Sequence, residues 1–266
     1  MIQNIEKHEI EEAVRTHWRL QMGSYFASIH DLDGAIYNLG AEVEDYYWNY
    51  AGMINTTDSD ADALIERVIS FAKEQNRDPA FYIDPSTLPG NFVDNLTAKG
   101  FEGEEDEIWM KFDAFPDNLS SPDIEIRPVS SSDDMDVFLD VFHESYEMLE
   151  EGEVSTPYGD SLLRAFGTSP DGVDIRHFIG NVSGEAVCIS SIYISGSDAG
   201  LYNVGTRPNF TGRGYGGELS VHAMKSALDQ GINNLILQTE LGENAEKLYK
   251  KLGFSQAFSG VIWSRP

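Results

Sequence analysis

Residues 211–217 read Thr-Gly-Arg-Gly-Tyr-Gly-Gly, and a stretch of helical apolar spacing follows them. Glycines let a backbone turn through φ > 0 and come close to a ligand. The helix behind the loop opens on N–H groups with no partner in the helix and on the positive end of its dipole. Together these features make a site for a pyrophosphate, and Arg213 puts a positive side chain in the loop. No Gly-Lys-Ser/Thr follows, as the phosphate loop of nucleotide hydrolases requires. The strand before the loop follows hairpin strands instead of opening a βαβ unit, and no ribose-binding acid follows where the dinucleotide fold needs one. A glycine-rich connector that binds nothing is the plain alternative.

Charge points to the same segment. The chain of 266 residues has 45 acidic and 18 basic side chains, a formal charge of −27. Residues 201–266 hold seven basic and five acidic residues, while the first 200 hold 11 and 40. An anionic ligand at the loop explains that asymmetry. The acidic excess elsewhere repels nucleic acid and anionic membranes, so neither is an expected partner. Solubility, including solubility in a high-salt cytoplasm, is the bland account of it, and only 8 of the basic residues are lysine. Hydrophobic residues at 41% and aromatics at 11% allow a packed core. No apolar run approaches the roughly 20 residues that span a bilayer, and residues 1–18 lack a stretch of signal-peptide type. A soluble cytoplasmic protein is expected. The single cysteine, Cys188, lies in an apolar strand-like run and reads as an inert core thiol.

The elements that must position the loop follow from periodicity. Leu219, Ala223 and Ala227 recur every four residues after the glycines and predict a helix that Gly231 stops. Residues 232–239 predict a buried strand, "ENAEKLYKKLGF" a short helix, and "SGVIWS" a last strand. The first half has the same order: a helix with Leu64, Val68 and Ile69 on one side, the strand "AFYID", the short helix "PGNFVDNLTAKGF" and the strand "DEIWMKF". Leu64 to Phe81 and Leu219 to Ile236 are both 17 residues, and an internal duplication is the simplest explanation. The seam is 112–128, rich in Pro, Ser, Asp and Asn. It separates a domain of residues 1–119 from one of 120–266. Past the seam come a strand "IEIRPV", a helix "SSDDMDVFLDVFHESYEML" with Ser and Asp caps, a short helix "PYGDSLLRAF" and three strands joined by tight turns. The fold class is mixed α/β, with most strands joined as hairpins.

From "LYNVGTRPNFTGRGYGGEL" through "AEKLYKKLGF" the sequence resembles the GCN5-related N-acetyltransferases, over about residues 124–266. The resemblance implies two tandem acetyltransferase-like domains, each a mostly antiparallel sheet flanked by helices. It also implies acetyl-CoA as co-substrate and no metal. The family's loop usually begins with Arg or Gln, and Thr211 stands there. By position, the backbone of Val204 and Thr206 pairs with the pantetheine arm. The amides of Gly212, Gly214, Gly216 and Gly217, with Tyr215 among them, hold the pyrophosphate. The resemblance also implies Arg213, with Lys247 or Lys250, as side chains to meet the phosphates of CoA. Tyr249 matches the family's tyrosine near the leaving sulfur, and a phenol with a pKa of about 10 can donate a proton to a thiolate; a tyrosine packed on the core is its bland reading. The family's asparagine before the Ala245 position is replaced by Gly242, with Asn244 adjacent. Glu240, at the end of its strand, is the first candidate for the general base, ahead of Asp198 and Glu144; His143, His177 and His222 read as structural or surface residues. The expected reaction is direct transfer of an acetyl group to a primary amine. The acceptor, a small amine, an antibiotic, an amino acid or a protein N-terminus, stays open. So do a homodimer, a longer acyl-CoA and a non-catalytic acyl-CoA sensor or scaffold.

The equal spacing sets Gly212, Gly214, Gly216 and Gly217 opposite Thr57, Ser59, Ala61 and Asp62, Arg213 opposite Asp58, and Tyr249 opposite Leu96. Asp58, Asp60 and Asp62 would repel phosphates. The first copy is therefore expected to keep the fold without cofactor binding and to shape an acceptor cleft or an interface. Its most aromatic stretch, 41–53, reads as an acidic, aromatic strand suited to a cationic amine, or equally to core packing.

Overall fold

A computed structural model describes residues 5–119, 122–147, 155–168 and 172–265. Ser120 and Ser121 of the seam, and Met148 and Leu149 at the expected end of its first helix, lie outside the described residues. The first elements are α1 (Lys7–Gln21), β1 (Phe26–Asp31), β2 (Ile36–Gly40), β3 (Tyr50–Gly52), α2 (Ala61–Glu74), β4 (Ala80–Ile83), α3 (Phe92–Ala98) and β5 (Glu102–Phe112). They are followed by β6 (Glu125–Pro128), α4 (Ser132–Ser145), α5 (Pro157–Ala165), β7 (Asp174–Val182), β8 (Glu185–Ser195), β9 (Asp198–Thr206), α6 (Tyr215–Leu228), β10 (Asn234–Glu240), α7 (Asn244–Lys251) and β11 (Phe254–Ser264). The fold is mixed α/β with mostly antiparallel strands, as expected. The elements α1, β1 and β2 were not legible in the sequence pattern.

Packing gathers the chain into two units. The first comprises residues 1–110, 238–246 and 256–266, and the second 111–237 and 247–255. Both β10 and β11 therefore run from one unit into the other.

In the first unit the strands lie in the order β1-β2-β3-β4-β11-β5. The meander β1-β2-β3 is antiparallel, β4 joins β3 in parallel, and residues 261–264 of β11 run antiparallel to β4. The apolar side of α2 (Leu64, Ile65, Val68, Ala72) packs with Tyr37, Ala51, Phe81, Phe92 and Leu96. Each such aliphatic side chain stabilises by about 1.5–3 kcal/mol when fully buried. The expected strand over 41–53 shrinks to Tyr50–Gly52. The cause is Asn49, whose side-chain amide donates to the carbonyls of Val43 (2.9 Å) and Asp45 (2.7 Å) while its oxygen accepts from Gly40 N (2.9 Å). Those bonds fold 41–49 into turns in place of a ladder.

In the second unit the order is β6-β7-β8-β9-β10. The strands β6 to β9 are antiparallel and β10 is parallel to β9. Every residue from Val187 to Ile194 is buried, so both faces of β8 are covered, and α4 and α6 both pack against it. The Ser and Asp caps expected for α4 are a capping box of Ser131 and Asp134. The two units repeat one succession: an antiparallel meander, a helix, then a parallel strand.

Candidate active site

The glycine loop follows β9, and β9 is prepared to receive an extended ligand. It pairs with β8 along its length, with a bulge between Ile189 and Ser191. Its parallel ladder to β10 covers only Asp198–Gly200, after which no ladder on that side is described. The backbone beyond Gly200 therefore has an open edge, to which a chain with amide groups can bond as a strand does. One group there is already engaged: the Tyr146 hydroxyl donates to the Val204 carbonyl at 3.0 Å. Thr206 pairs with Cys188 in the ladder, and its side chain faces the start of α6.

Past β9, Arg207 donates to the Ala186 carbonyl (2.8 Å) and forms ion pairs with Asp140 and Glu144. This fixes the entry to the loop and makes Glu144, one of the weaker base candidates, a partner of Arg207. A single turn at Pro208–Phe210 leads to Thr211, whose hydroxyl donates to the Pro208 carbonyl at 2.9 Å. The four glycines then divide by task. Gly212 and Gly214 take φ of 75° and 85°, the left-handed region, and shape the turn. Gly216 and Gly217 are buried, and their lack of a side chain lets α6 approach its neighbours. A Cβ on Gly216 would lie 2.8 Å from the Thr206 hydroxyl, and one on Gly217 3.2 Å from Leu248.

Gly214 is the N-cap of α6, no side chain caps that end, and the first helical bond is Glu218 N to the Gly214 carbonyl at 3.0 Å. The amides of Tyr215, Gly216 and Gly217 precede that bond, so nothing in the helix takes them. The loop residues 211–214 are exposed, and no atom outside the loop lies within 4 Å of where a Gly212 Cβ would be. The donor set and the open space fit a pyrophosphate. Arg213 does not extend freely into solvent: it donates to the Asn209 carbonyl (3.0 Å) and lies 5.2 Å from the centre of the Phe210 ring.

Tyr249 belongs to the same unit. Its ring is 8% exposed and meets Phe254 edge-on at 6.0 Å. Burial, and then the neighbouring Tyr146, hold its pKa far above the ordinary phenol value. The Tyr146 pKa is raised to about 12 by desolvation at its hydroxyl, which faces Val204 even though 43% of the residue is exposed. Both phenols keep their protons at neutral pH. Lys247 and Lys250 are exposed on α7.

The structure thus brings Val204, Thr206, the loop 211–217 and Tyr249 into one unit. Glu240 and Asn244 belong to the other. Asn244 is exposed at the start of α7, where the Glu246 carboxylate accepts from Gly242 N at 2.6 Å. Asp198 accepts from Asn234 (2.7 Å) at the start of β9. His143 and His177 are buried, with pKa values lowered by burial, His177 to about 4. His222 packs edge-on against Phe178. Burial pushes Cys188 up to about 12, consistent with an inert thiol.

Sequence reasoning missed Glu107. Its carboxylate accepts from Gln238 at 2.5 Å, and burial followed by the charge of Glu240 pushes its pKa up to about 8. The signal was present: an acid two residues before Trp109 on one strand shares that residue's face. Among the described residues no group of three or more His, Cys, Asp or Glu side chains is placed to hold a metal ion, and no helix is long and apolar enough to cross a membrane.

Comparison with known proteins agrees with this geometry. Residues 179–263 match the FR47-like protein family. No curated protein matches the chain. A GCN5-related N-acetyltransferase from Kribbella flavida superposes with a TM-score of 0.69 at 14% identity, over 96% of this chain and 95% of that one. One from Sphaerobacter thermophilus gives 0.66 at 15%, over 88% and 78%. A tandem GNAT protein from the clavulanic acid biosynthesis pathway gives 0.59 at 14%, over 86% and 77%.

Proposed function

From a chain with the fold of the GCN5-related N-acetyltransferase superfamily, we infer an N-acyltransferase that moves an acetyl group from acetyl-CoA directly to a primary amine. The observation that carries this reading is the junction of β9 and α6. A strand with an open edge beyond Gly200 runs into an exposed loop whose helix opens on three uncapped amides. One end suits an amide-bearing arm and the other a pyrophosphate, as pantetheine and the diphosphate are joined in CoA. Bound acetyl-CoA supplies an activated acyl group on sulfur.

The chain's own residues do the rest. The amides of Tyr215, Gly216 and Gly217 bind the negative charge, and the edge of β9 orients the arm. Tyr249 holds a proton on its hydroxyl at any physiological pH, because burial disfavours the phenolate. It can donate a hydrogen bond to a departing thiolate, while the same burial makes it a weaker acid than a free phenol. The paired repeat, divided in sequence at 119/120, gives one cofactor site per chain, since the first copy has carboxylates where the second has its loop.

Titration calorimetry with acetyl-CoA tests the binding half. One equivalent is expected per full-length chain, and Gly214→Asp, which aims a carboxylate into the loop, abolishes it while the circular dichroism spectrum is kept. Unchanged affinity in that variant would make the loop a mere connector. Tyr249→Phe keeps the ring and removes the proton. It is expected to lower kcat by at least about tenfold with little change in acetyl-CoA affinity, read as thiol release with an amine panel.

A further inference from the structure

The first unit holds a second polar cluster that the cofactor site does not use. Its interior is built from two tyrosines. The Trp18 indole donates to the Tyr50 hydroxyl (2.9 Å), and the Trp109 indole donates to the Tyr82 hydroxyl (2.5 Å). The two phenol rings lie 5.6 Å apart. Each indole takes a lone pair, so each hydroxyl keeps one lone pair and one O–H for something else. Glu107 and Asp84 both act on these hydroxyls through space, and no hydrogen bond joins either acid to either phenol among the described residues. Asp84 is only 7% exposed; one carboxylate oxygen accepts from Ser86, and the other is buried with no partner.

Gly260 lets the backbone close on the Tyr82 ring, since a Cβ there would strike the hydroxyl. Toward solvent the cluster continues through Tyr47, Tyr46, Glu104 and Glu240. Tyr47 and Glu240 are exposed, and the rings of Tyr46 and Tyr47 lie 4.8 Å apart.

Once ionised, carboxyl groups that have no ion pair among the described residues, together with phenol oxygens, make an environment that stabilises an alkylammonium ion. We propose that Glu107 and Glu240, with Tyr47, Tyr50, Tyr82 and the unpartnered oxygen of Asp84, form a binding site for the cationic head of an organic amine. As a cation site it stands on the first unit alone, and its meaning for an amine acceptor rests on the proposed reaction. A cation beside Glu107 favours its ionised form and so offsets the burial and the Glu240 repulsion that hold its pKa near 8.

Binding is tested on the full chain without acetyl-CoA. At about pH 9, where Glu107 is ionised and n-butylamine is still cationic, n-butylammonium and tetramethylammonium are titrated by calorimetry and by NMR of the tyrosine rings, with n-butanol as the neutral match. Saturable binding of the cations but not the alcohol is expected, with affinity reduced at least about tenfold in Glu107→Gln. Acetyl-CoA binding is measured on the same variant as the control for folding. No saturable cation binding by the wild type, or equal affinity in Glu107→Gln, would overturn the site. Cation binding without acetyl transfer would leave the site standing and sink the reaction. Transfer to neutral arylamines with no cation binding would do the reverse.

Discussion

At the scale of single residues the two units separate two kinds of acid. Tyr249 is held protonated by burial, whereas Glu107 is a carboxyl whose burial and acidic neighbour bring its titration to the edge of physiological pH. The sign of the second effect can be read in stability. Glu107 releases its proton near pH 8 when folded and near the ordinary carboxylate value of about 4.3 when unfolded. Between those values the folded state binds more protons, so stability falls as pH rises. The contribution is complete below about pH 4 and is lost by the time pH has passed about 8. The groups facing Glu107 are Gln238 and Glu240 on β10, Tyr47 and Tyr50 before and on β3, and Tyr82 on β4. The phenols stay neutral across that window. Glu107→Gln is therefore expected to flatten the fall of Tm with pH and to be the more stable protein at pH 8. A series of melting curves across the window checks it, and a variant slope equal to that of the wild type would mean that Glu107 titrates normally.

At the scale of elements, backbone approach decides as much as side-chain chemistry. Gly253, between α7 and β11, has φ 98°, and a Cβ there would lie 1.9 Å from the Ala114 carbonyl oxygen. Its own carbonyl accepts from Asp113 N at 3.0 Å. Gly253→Ala is expected to cost about 1–3 kcal/mol from backbone conformation alone, with the clash in addition, read by urea denaturation; a loss well below that range would show the turn to be adaptable. The sequence made this glycine legible as a helix stop, because apolar spacing followed by Gly is a local signal. The helices α2, α4, α6 and α7 and the strands β7 to β9 were legible for the same reason: their periods and caps lie within a few residues. The 41–53 turn was not, because Asn49 acts through carbonyls that sequence does not display. The place of Glu107 on the face of Trp109 was legible, but not its shifted titration, whose causes come from other elements. The glycine loop was the easy part of the candidate site to find, since its glycines and Arg213 form one short contiguous motif and Tyr249 lies in another. Even there the sequence did not separate Gly212 and Gly214, which bend the chain, from Gly216 and Gly217, which let helices approach.

At the scale of the whole molecule, a charge of −27 on 266 residues sets the conditions under which either unit is stable. Like charges repel in the compact state, and salt screens them over a Debye length of about 10 Å at 0.1 M and about 3 Å at 1 M. Tm is expected to rise with potassium chloride across that range, and a flat response would mean that the acids are spaced widely enough not to interact. The interleaving of the units has a consequence for synthesis. Residues 261–264 lie against β4, yet the ribosome makes them more than 170 residues after it makes β4. At roughly 5–20 residues per second that delay is on the order of 10–30 s. Through it, the nascent chain carries Ala80–Ile83, four apolar or aromatic residues, with one side of the strand unpaired. Such an edge pairs readily with other chains, so the first unit depends on being shielded until residues 261–264 have been made.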